Sequence, residues 1–75
     1  MSRASTTITI RSISLVDLLA SLNFGKETSR EDIHFLQKYA NKMNCLQEKE
    51  GNVTINLCFN TKEELKKFNE KWQRL

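Results

Sequence analysis

Residues 45–59 read CLQEKEGNVTINLCF, and they predict the β-hairpin around which the rest of the chain is organised. The pair Gly51-Asn52 separates two runs of strand-forming residues, Cys45–Glu50 and Val53–Phe59. In the second run apolar and polar residues alternate, so its apolar side chains share one face. A strand with a single apolar face needs a covering layer, and we expect helices from elsewhere in the chain to supply it.

The length of the turn sets the position of Cys45 relative to Cys58. With a two-residue turn at Gly51-Asn52, the two cysteines lie directly opposite one another in a non-hydrogen-bonded pair, with Cα atoms about 4.5 Å apart. That separation is at the short end of disulfide geometry. With a three-residue loop, Cys45 instead lies opposite Leu57. In an intracellular protein we expect both thiols to be reduced and half-buried.

A strand and a helix are predicted before the hairpin. Residues 6–11 (TTITIR) are rich in β-branched side chains and alternate, which predicts a strand with Ile8 and Ile10 on one face. A helix is then predicted from Ser14, whose hydroxyl can cap it, to a stop at Gly25. Its apolar stripe is expected to contain Leu15, Leu18, Leu19 and Leu22, widened by Val16 and Ala20.

The predicted helix from Ser29 to Met43 has more apolar surface than one face can hold. Thr28 and Ser29 are alternative N-caps. At about 100° per residue, Phe35 and Tyr39 fall outside the core stripe. Either the helix is sandwiched between the sheet and the first helix, or these aromatic side chains contact another chain. The core stripe is expected to contain Ile33, Leu36, Ala40 and Met43.

The last helix is predicted to begin after Thr61, which forms a capping box with Glu64. The face opposite its apolar stripe mixes lysines and glutamates, as expected of a solvated helix surface. The stripe is expected to contain Leu65, Phe68, Trp72 and Leu75.

These elements follow one another in the order β-α-α-β-β-α. The order predicts an α+β fold, a small antiparallel sheet of two or three strands with three helices. A chain of 75 residues suffices for one domain, residues 1–75. The polar residues 1–5 are expected to be flexible.

The stretch from Thr6 to Phe59 resembles the winged helix in its order of elements. The resemblance implies DNA binding, with the hairpin tip Glu50-Gly51-Asn52 as the wing and the helix Ser29–Met43 as the recognition helix. The leading helix of that fold is missing here. Glu31 and Asp32 also place carboxylates in the first turn of the recognition helix, where they would repel DNA. The residues that would contact DNA are Arg30, Gln37, Lys38 and Asn41.

Charge and hydropathy limit the kinds of partner. The chain carries 12 basic and 9 acidic side chains, a net charge of +3 that is spread along the sequence. Such a mild excess permits a nucleic-acid partner without requiring one. No apolar run approaches the ~20 residues of a membrane helix, and no signal-peptide segment is evident. We therefore expect a cytoplasmic protein that does not bind membranes.

The sequence contains no catalytic or cofactor signature. His34 is the only histidine, and together with Cys45 and Cys58 it lacks the paired spacings of zinc motifs. We therefore expect no metal, no cofactor and no enzymatic activity.

The leading hypothesis is a non-catalytic interaction module. It would be a regulator or inhibitor that docks on another protein or on a second copy of itself. The motivation is the excess apolar surface of the helix from Ser29 to Met43. Phe35, Tyr39 and His34 would form the contact, with Arg30 and Lys38 as its polar rim.

Overall fold

The computed structural model describes residues 3–75, and its elements follow the predicted order β-α-α-β-β-α. The predicted α+β class, with three helices and an antiparallel sheet, is confirmed. The sheet has three strands, and the last strand in the chain lies at its centre. In chain order the elements are strand β1 (Ala4–Ile10), helix α1 (Leu15–Asn23), helix α2 (Glu31–Gln37), a short 3₁₀ helix (Ala40–Lys42), strand β2 (Met43–Lys49), strand β3 (Asn52–Phe59) and helix α3 (Lys62–Trp72).

Strand β3 pairs antiparallel with β1 on one side and with β2 on the other. Its alternate residues are buried, as the alternation of the sequence predicts. All three helices contribute side chains to the core on this same face, so they form a single layer over it. The buried core comprises Ile8, Ile10, Leu18, Ile33, Leu36, Val53, Ile55, Leu57, Phe59 and Phe68.

The other side of the sheet carries no helix, and we call it the open face. The open face is formed by the alternate strand residues that point away from the core. Hydroxyl, amide and thiol side chains predominate on it. They are Ser5, Thr7 and Thr9 of β1, Thr54, Asn56 and Cys58 of β3, and Cys45 and Gln47 of β2.

The hairpin turns at Glu50-Gly51, so the predicted turn at Gly51-Asn52 is wrong. Lys49 pairs with Asn52, and φ is +55° at Glu50 and +79° at Gly51. Positive φ at both central residues is the requirement of a type I′ turn, and this register gives glycine the second of those positions. Ser12 reinforces the register from outside the hairpin, because its backbone N–H donates to the side-chain oxygen of Asn52 at 3.1 Å.

The shifted register separates the two cysteines, and both predicted partners of Cys45 are wrong. Cys45 lies opposite Asn56 of β3, whereas Cys58 lies opposite Ser5 of β1. A register irregularity at Asn44 accompanies the start of the β2–β3 ladder. Both thiols are free and exposed rather than half-buried.

Helix α2 is much shorter than predicted. It spans seven residues and is followed by the short 3₁₀ helix, and Met43 is the first residue of β2 rather than the last of a helix. The tightening begins where the backbone N–H of Lys38 bonds to the carbonyl of Phe35 at 3.3 Å, and it continues with the bond from Tyr39 to Leu36 at 2.9 Å. Pairing of Met43 with Leu57 draws the chain into the sheet, and this pairing outweighs the continuing helical pattern of apolar residues.

The ends of the helices follow local capping rules with one exception. Ser14 accepts a hydrogen bond from the backbone N–H of Asp17, and Thr61 accepts one from that of Glu64, as predicted. The predicted caps of α2 are wrong, because its N-cap is Arg30, which makes no side-chain capping bond.

Strand β1 begins two residues earlier than predicted. Ala4 and Ser5 pair with Phe59 and Cys58, so these two residues are part of the sheet rather than flexible. Met1 and Ser2, which the same prediction included, lie outside the described residues. Between residues 3 and 75, no helix has the length and apolar character needed to span a bilayer.

The type I′ turn leads to a first prediction. Left-handed backbone costs an L-residue such as glutamate about 1–2 kcal/mol, and asparagine tolerates it better. Glu50→Asn should therefore raise the free energy of unfolding by about 0.5–1 kcal/mol, measured by urea denaturation.

Glu27→Asn is the matched control, since it makes the same change of charge in an exposed loop residue without positive φ. It should leave the unfolding midpoint unchanged. A drop in stability for Glu50→Asn would show that the turn does not have this geometry.

Candidate functional site

The aromatic side chains of α2 contact α3. The ring of Phe35 lies 5.5 Å from that of Phe68 and 6.2 Å from that of Trp72, measured between centroids. Tyr39 lies 5.0 Å from Phe68 in an edge-to-face arrangement and 6.2 Å from Phe59 of the central strand. Such aromatic pairs stabilise a core beyond their buried area. Helix α3, rather than α1, is therefore the cover for the excess apolar surface of α2, and both aromatic side chains are half-buried.

Arg30 holds the start of α2 to the rest of the protein. Its guanidinium binds the two carboxylate oxygens of Asp32 at 3.2 and 2.8 Å, and it donates to the backbone carbonyl of Ser12 at 3.1 Å. The paired, planar geometry is the one in which arginine–carboxylate bonds are strongest. Arg30 thus links the loop after β1 to α2, and three of its donors are engaged within the chain.

Of the other predicted contact residues on α2, two hydrogen-bond within the chain and one is exposed to solvent. His34 hydrogen-bonds to the backbone carbonyl of Thr28 through Nε2, and Gln37 donates to the carbonyl of Ser21 at 3.1 Å. Lys38 is exposed. Protein contact through Arg30, His34, Phe35, Lys38 and Tyr39 stays a prediction.

The alternative DNA-contact set is divided in the same way. Lys38 and Asn41 are exposed, whereas Arg30 and Gln37 bind atoms of the protein itself. A helix of seven residues also offers less length to a groove than the fifteen residues of the predicted helix. DNA recognition by α2 likewise stays a prediction.

An open groove of about 430 Å³ lies between the start of α2 and the end of α3. Arg30 and Asp32, which line it, already bind one another. A small-molecule site is normally concave and apolar, with a few unpaired polar groups that converge on the ligand. This groove does not have that arrangement. It is lined by Arg30, Glu31, Asp32, Trp72 and Leu75.

Helix α1 and its C-cap carry the two most exposed large apolar side chains in the described part of the chain, ahead of Leu75 at 51%. Phe24, at its C-cap, is 84% exposed and Val16 is 76% exposed. The prediction that Val16 widens the core stripe is therefore wrong. Val16, Ala20 and Phe24 are spaced four residues apart and lie along the outer side of the helix. We call this row the α1 ridge.

The α1 ridge is almost free of charge. Asp17 is the single charged residue of α1, and its carboxylate lies 3.5 Å from the ammonium group of Lys26. Both groups are more than half exposed, so this pair adds little stability but neutralises the neighbourhood of the ridge. The four-residue spacing was visible in the sequence, but it could not be distinguished from a wider core stripe until the sheet side of α1 was known.

Potential metal-ligating side chains are dispersed between residues 3 and 75. No group of three or more histidine, cysteine, aspartate or glutamate side chains is close enough to hold a metal ion. The thiol of Cys58 contacts the amides of Asn44 and Asn56, at 3.6 and 3.5 Å, and no histidine.

Comparisons with protein-family models, curated proteins and solved structures gave no match to this chain.

The two phenylalanines near α1 and α2 allow a matched test of these assignments. Phe35→Ala removes a ring from the aromatic cluster and should lower the free energy of unfolding by about 2 kcal/mol. Phe24→Ala removes the same side chain from an exposed position and should cost less than about 0.5 kcal/mol. Urea denaturation measures both.

Phe35→Leu keeps the test informative should the alanine variant fail to fold, because leucine preserves most of the buried volume. Equal losses of stability for the two alanine variants would contradict the assignment of Phe35 to the core and Phe24 to the surface.

Proposed function

We propose that this chain is a non-catalytic docking module that binds another protein through the α1 ridge. The observation that carries the proposal is the exposure of Val16 and Phe24, 76% and 84%, on a helix with one charged residue. The chain buries its other phenylalanines at least in part, so an aromatic side chain left in water is unusual within this molecule. Exposed apolar patches on small domains are commonly binding surfaces.

The spacing of the ridge suits a known mode of recognition. An amphipathic helix that enters a hydrophobic groove anchors itself with side chains on successive turns of one face. Val16 and Phe24 would be the large anchors, and the small side chain of Ala20 between them would let the groove wall approach the helix closely. Burying a large apolar side chain contributes about 1.5–3 kcal/mol, so two anchors supply a substantial part of a binding free energy.

The size of the ridge favours a concave partner over a second copy of the chain. Helix α1 has nine residues and is about 14 Å long. Two such convex helices touch along a narrow line. The area buried there is far smaller than the roughly 800 Å² per partner that a stable dimer buries. A groove also covers the flanks of the helix, where Leu19 is half-buried. The proposed partner is therefore a larger protein with an apolar groove.

Regulation or inhibition of the partner protein would follow from the occupation of its groove by α1 alone. A groove that accepts α1 would be closed to any other helix that uses it, and this competition requires no catalytic group on the chain.

Site-specific crosslinking tests the proposal in cells that express the chain naturally. A photoreactive phenylalanine analogue at position 24 should form one defined adduct, and the same analogue at position 67, on the solvent side of α3, should not. With the captured partner purified, Val16→Ser and Phe24→Ser should each weaken binding at least about tenfold, whereas Lys67→Ser should leave it unchanged. Isothermal titration calorimetry measures the affinities.

Two controls make the result decisive. The serine variants should keep the wild-type unfolding midpoint, which shows that lost binding is not lost folding. Failure to form an adduct at position 24 would overturn the proposal. A stronger effect of His34→Ala or Lys38→Ala than of Val16→Ser would also overturn it and move the contact to α2. A dimer in sedimentation equilibrium that Phe24→Ser dissociates would identify a second copy as the occupant instead of a groove.

A further inference from the structure

The net positive charge of the chain is collected on the open face. Arg3 and Arg11 directly precede and follow β1 and, by strand alternation, share the side of Ser5, Thr7 and Thr9. Lys49 is the last residue of β2 and pairs with Asn52 of β3. It lies two residues after Gln47 and so shares the open face with it. All three cationic residues are exposed, and none of the ion pairs found between residues 3 and 75 includes them.

The rest of the molecule is electrically balanced. Besides Arg3, Arg11 and Lys49, the chain has nine basic residues, equal in number to its nine acidic ones. The strand residues of the open face include no carboxylate. Glu48 is the one acidic residue within a strand, and its carboxylate accepts a hydrogen bond from the backbone N–H of Leu15 on the helix side of the sheet. The three cations of the open face are thus equal in number to the net charge of +3 of the whole chain.

Between the cations, uncharged hydrogen-bonding side chains form rows across the three strands. One row is Thr9, Thr54 and Gln47, and the next is Thr7, Asn56 and Cys45. Asn56 donates weakly to Thr7 at 3.4 Å, so strands β1 and β3 are linked within the second row. Hydroxyl and amide groups bind both phosphate oxygens and base edges.

We propose that the open face binds single-stranded nucleic acid. Charge complementarity supports an anionic partner, and the rows of hydroxyl and amide groups between the cations match the phosphates and bases of an extended strand. This surface lies on the opposite side of the sheet from the helix layer, so the proposal does not rest on the α1 ridge.

The dimensions of the open face favour one strand over a duplex. Three strands spaced about 4.8 Å apart make it about 10 Å wide, and residues on one face repeat about every 7 Å along each strand. A surface of this kind is flat, whereas the major groove of a duplex is read by a protruding helix or two-stranded ribbon. An extended single strand exposes its base edges to a flat sheet.

A lipid surface is a poorer match to the same residues. Peripheral membrane binding combines cations with inserted apolar side chains. The alternate residues of the open face are threonine, serine, asparagine, glutamine and cysteine, with no large apolar side chain among them. Because the face has no aromatic side chain, base stacking there is limited to the guanidinium planes of Arg3 and Arg11. Binding should therefore be weak and strongly salt-dependent.

Fluorescence anisotropy with labelled single strands of about eight nucleotides, one RNA and one DNA of mixed sequence, tests the proposal. Three phosphate contacts predict that log K falls with log[salt] at a slope of about −2. Arg11→Gln with Lys49→Gln should weaken binding about tenfold at about 50 mM salt and reduce the slope to about −0.7. If the double variant weakens binding to one probe more than to the other, that probe identifies the preferred nucleic acid.

Lys66→Gln with Lys67→Gln is the matched control, because it removes the same charge from the exposed side of α3. The control should change affinity less than about twofold. Equal effects of the two double variants would show that net charge alone attracts the strand and would overturn the proposal.

Three other results would also overturn the assignment to the open face. One is the absence of binding to either strand at low salt. Another is that Lys38→Gln abolishes binding while the double variant of Arg11 and Lys49 binds normally, which would place the contact on α2. The third is tighter, Arg11-dependent binding to vesicles of phosphatidylcholine and phosphatidylserine than to either oligonucleotide. All variants should retain the wild-type unfolding midpoint.

Discussion

The pairing of β3 on both of its edges constrains the rest of the molecule. Because β3 lies between β1 and β2, its backbone groups are satisfied within the sheet and its side chains alternate between two different environments. Four apolar side chains of β3 are buried, each worth about 1.5–3 kcal/mol of transfer free energy. All three helices lie on the face that these side chains occupy, which leaves the opposite face without a covering layer.

The same arrangement explains how a helix as short as α2 is held in place. Seven residues form too few hydrogen bonds to make an isolated helix stable, so tertiary contacts must stabilise it. Arg30 provides these contacts at one end through the loop after β1, and Phe35 provides them along the helix through the aromatic side chains of α3. The polar bonds orient the helix, and the aromatic cluster supplies the buried area.

A layered fold of this size leaves two chemically different surfaces. The outer side of α1 is apolar and nearly uncharged, since Asp17 is its single charged residue. The back of the sheet is polar and carries the chain's excess of positive charge. Along the sequence this excess is mild and scattered, because Lys49 is far in the chain from Arg3 and Arg11. Strand pairing alone brings Arg11 and Lys49 to the same end of one face.

Features that arise between near neighbours could be read directly from the residues. The caps at Ser14 and Thr61, the alternation of β3 and the order of elements all arise from contacts within a few positions, so local pattern was sufficient. Contacts between distant segments set the hairpin register and the early end of α2. They also determine which side of α1 is packed, and therefore that Phe24 is exposed. Ser12 and Asn52 are 40 positions apart, yet their hydrogen bond helps to hold the turn. Which face of a helix meets solvent is likewise settled by the packing of the whole chain, because an apolar stripe has the same spacing whether it is buried or exposed.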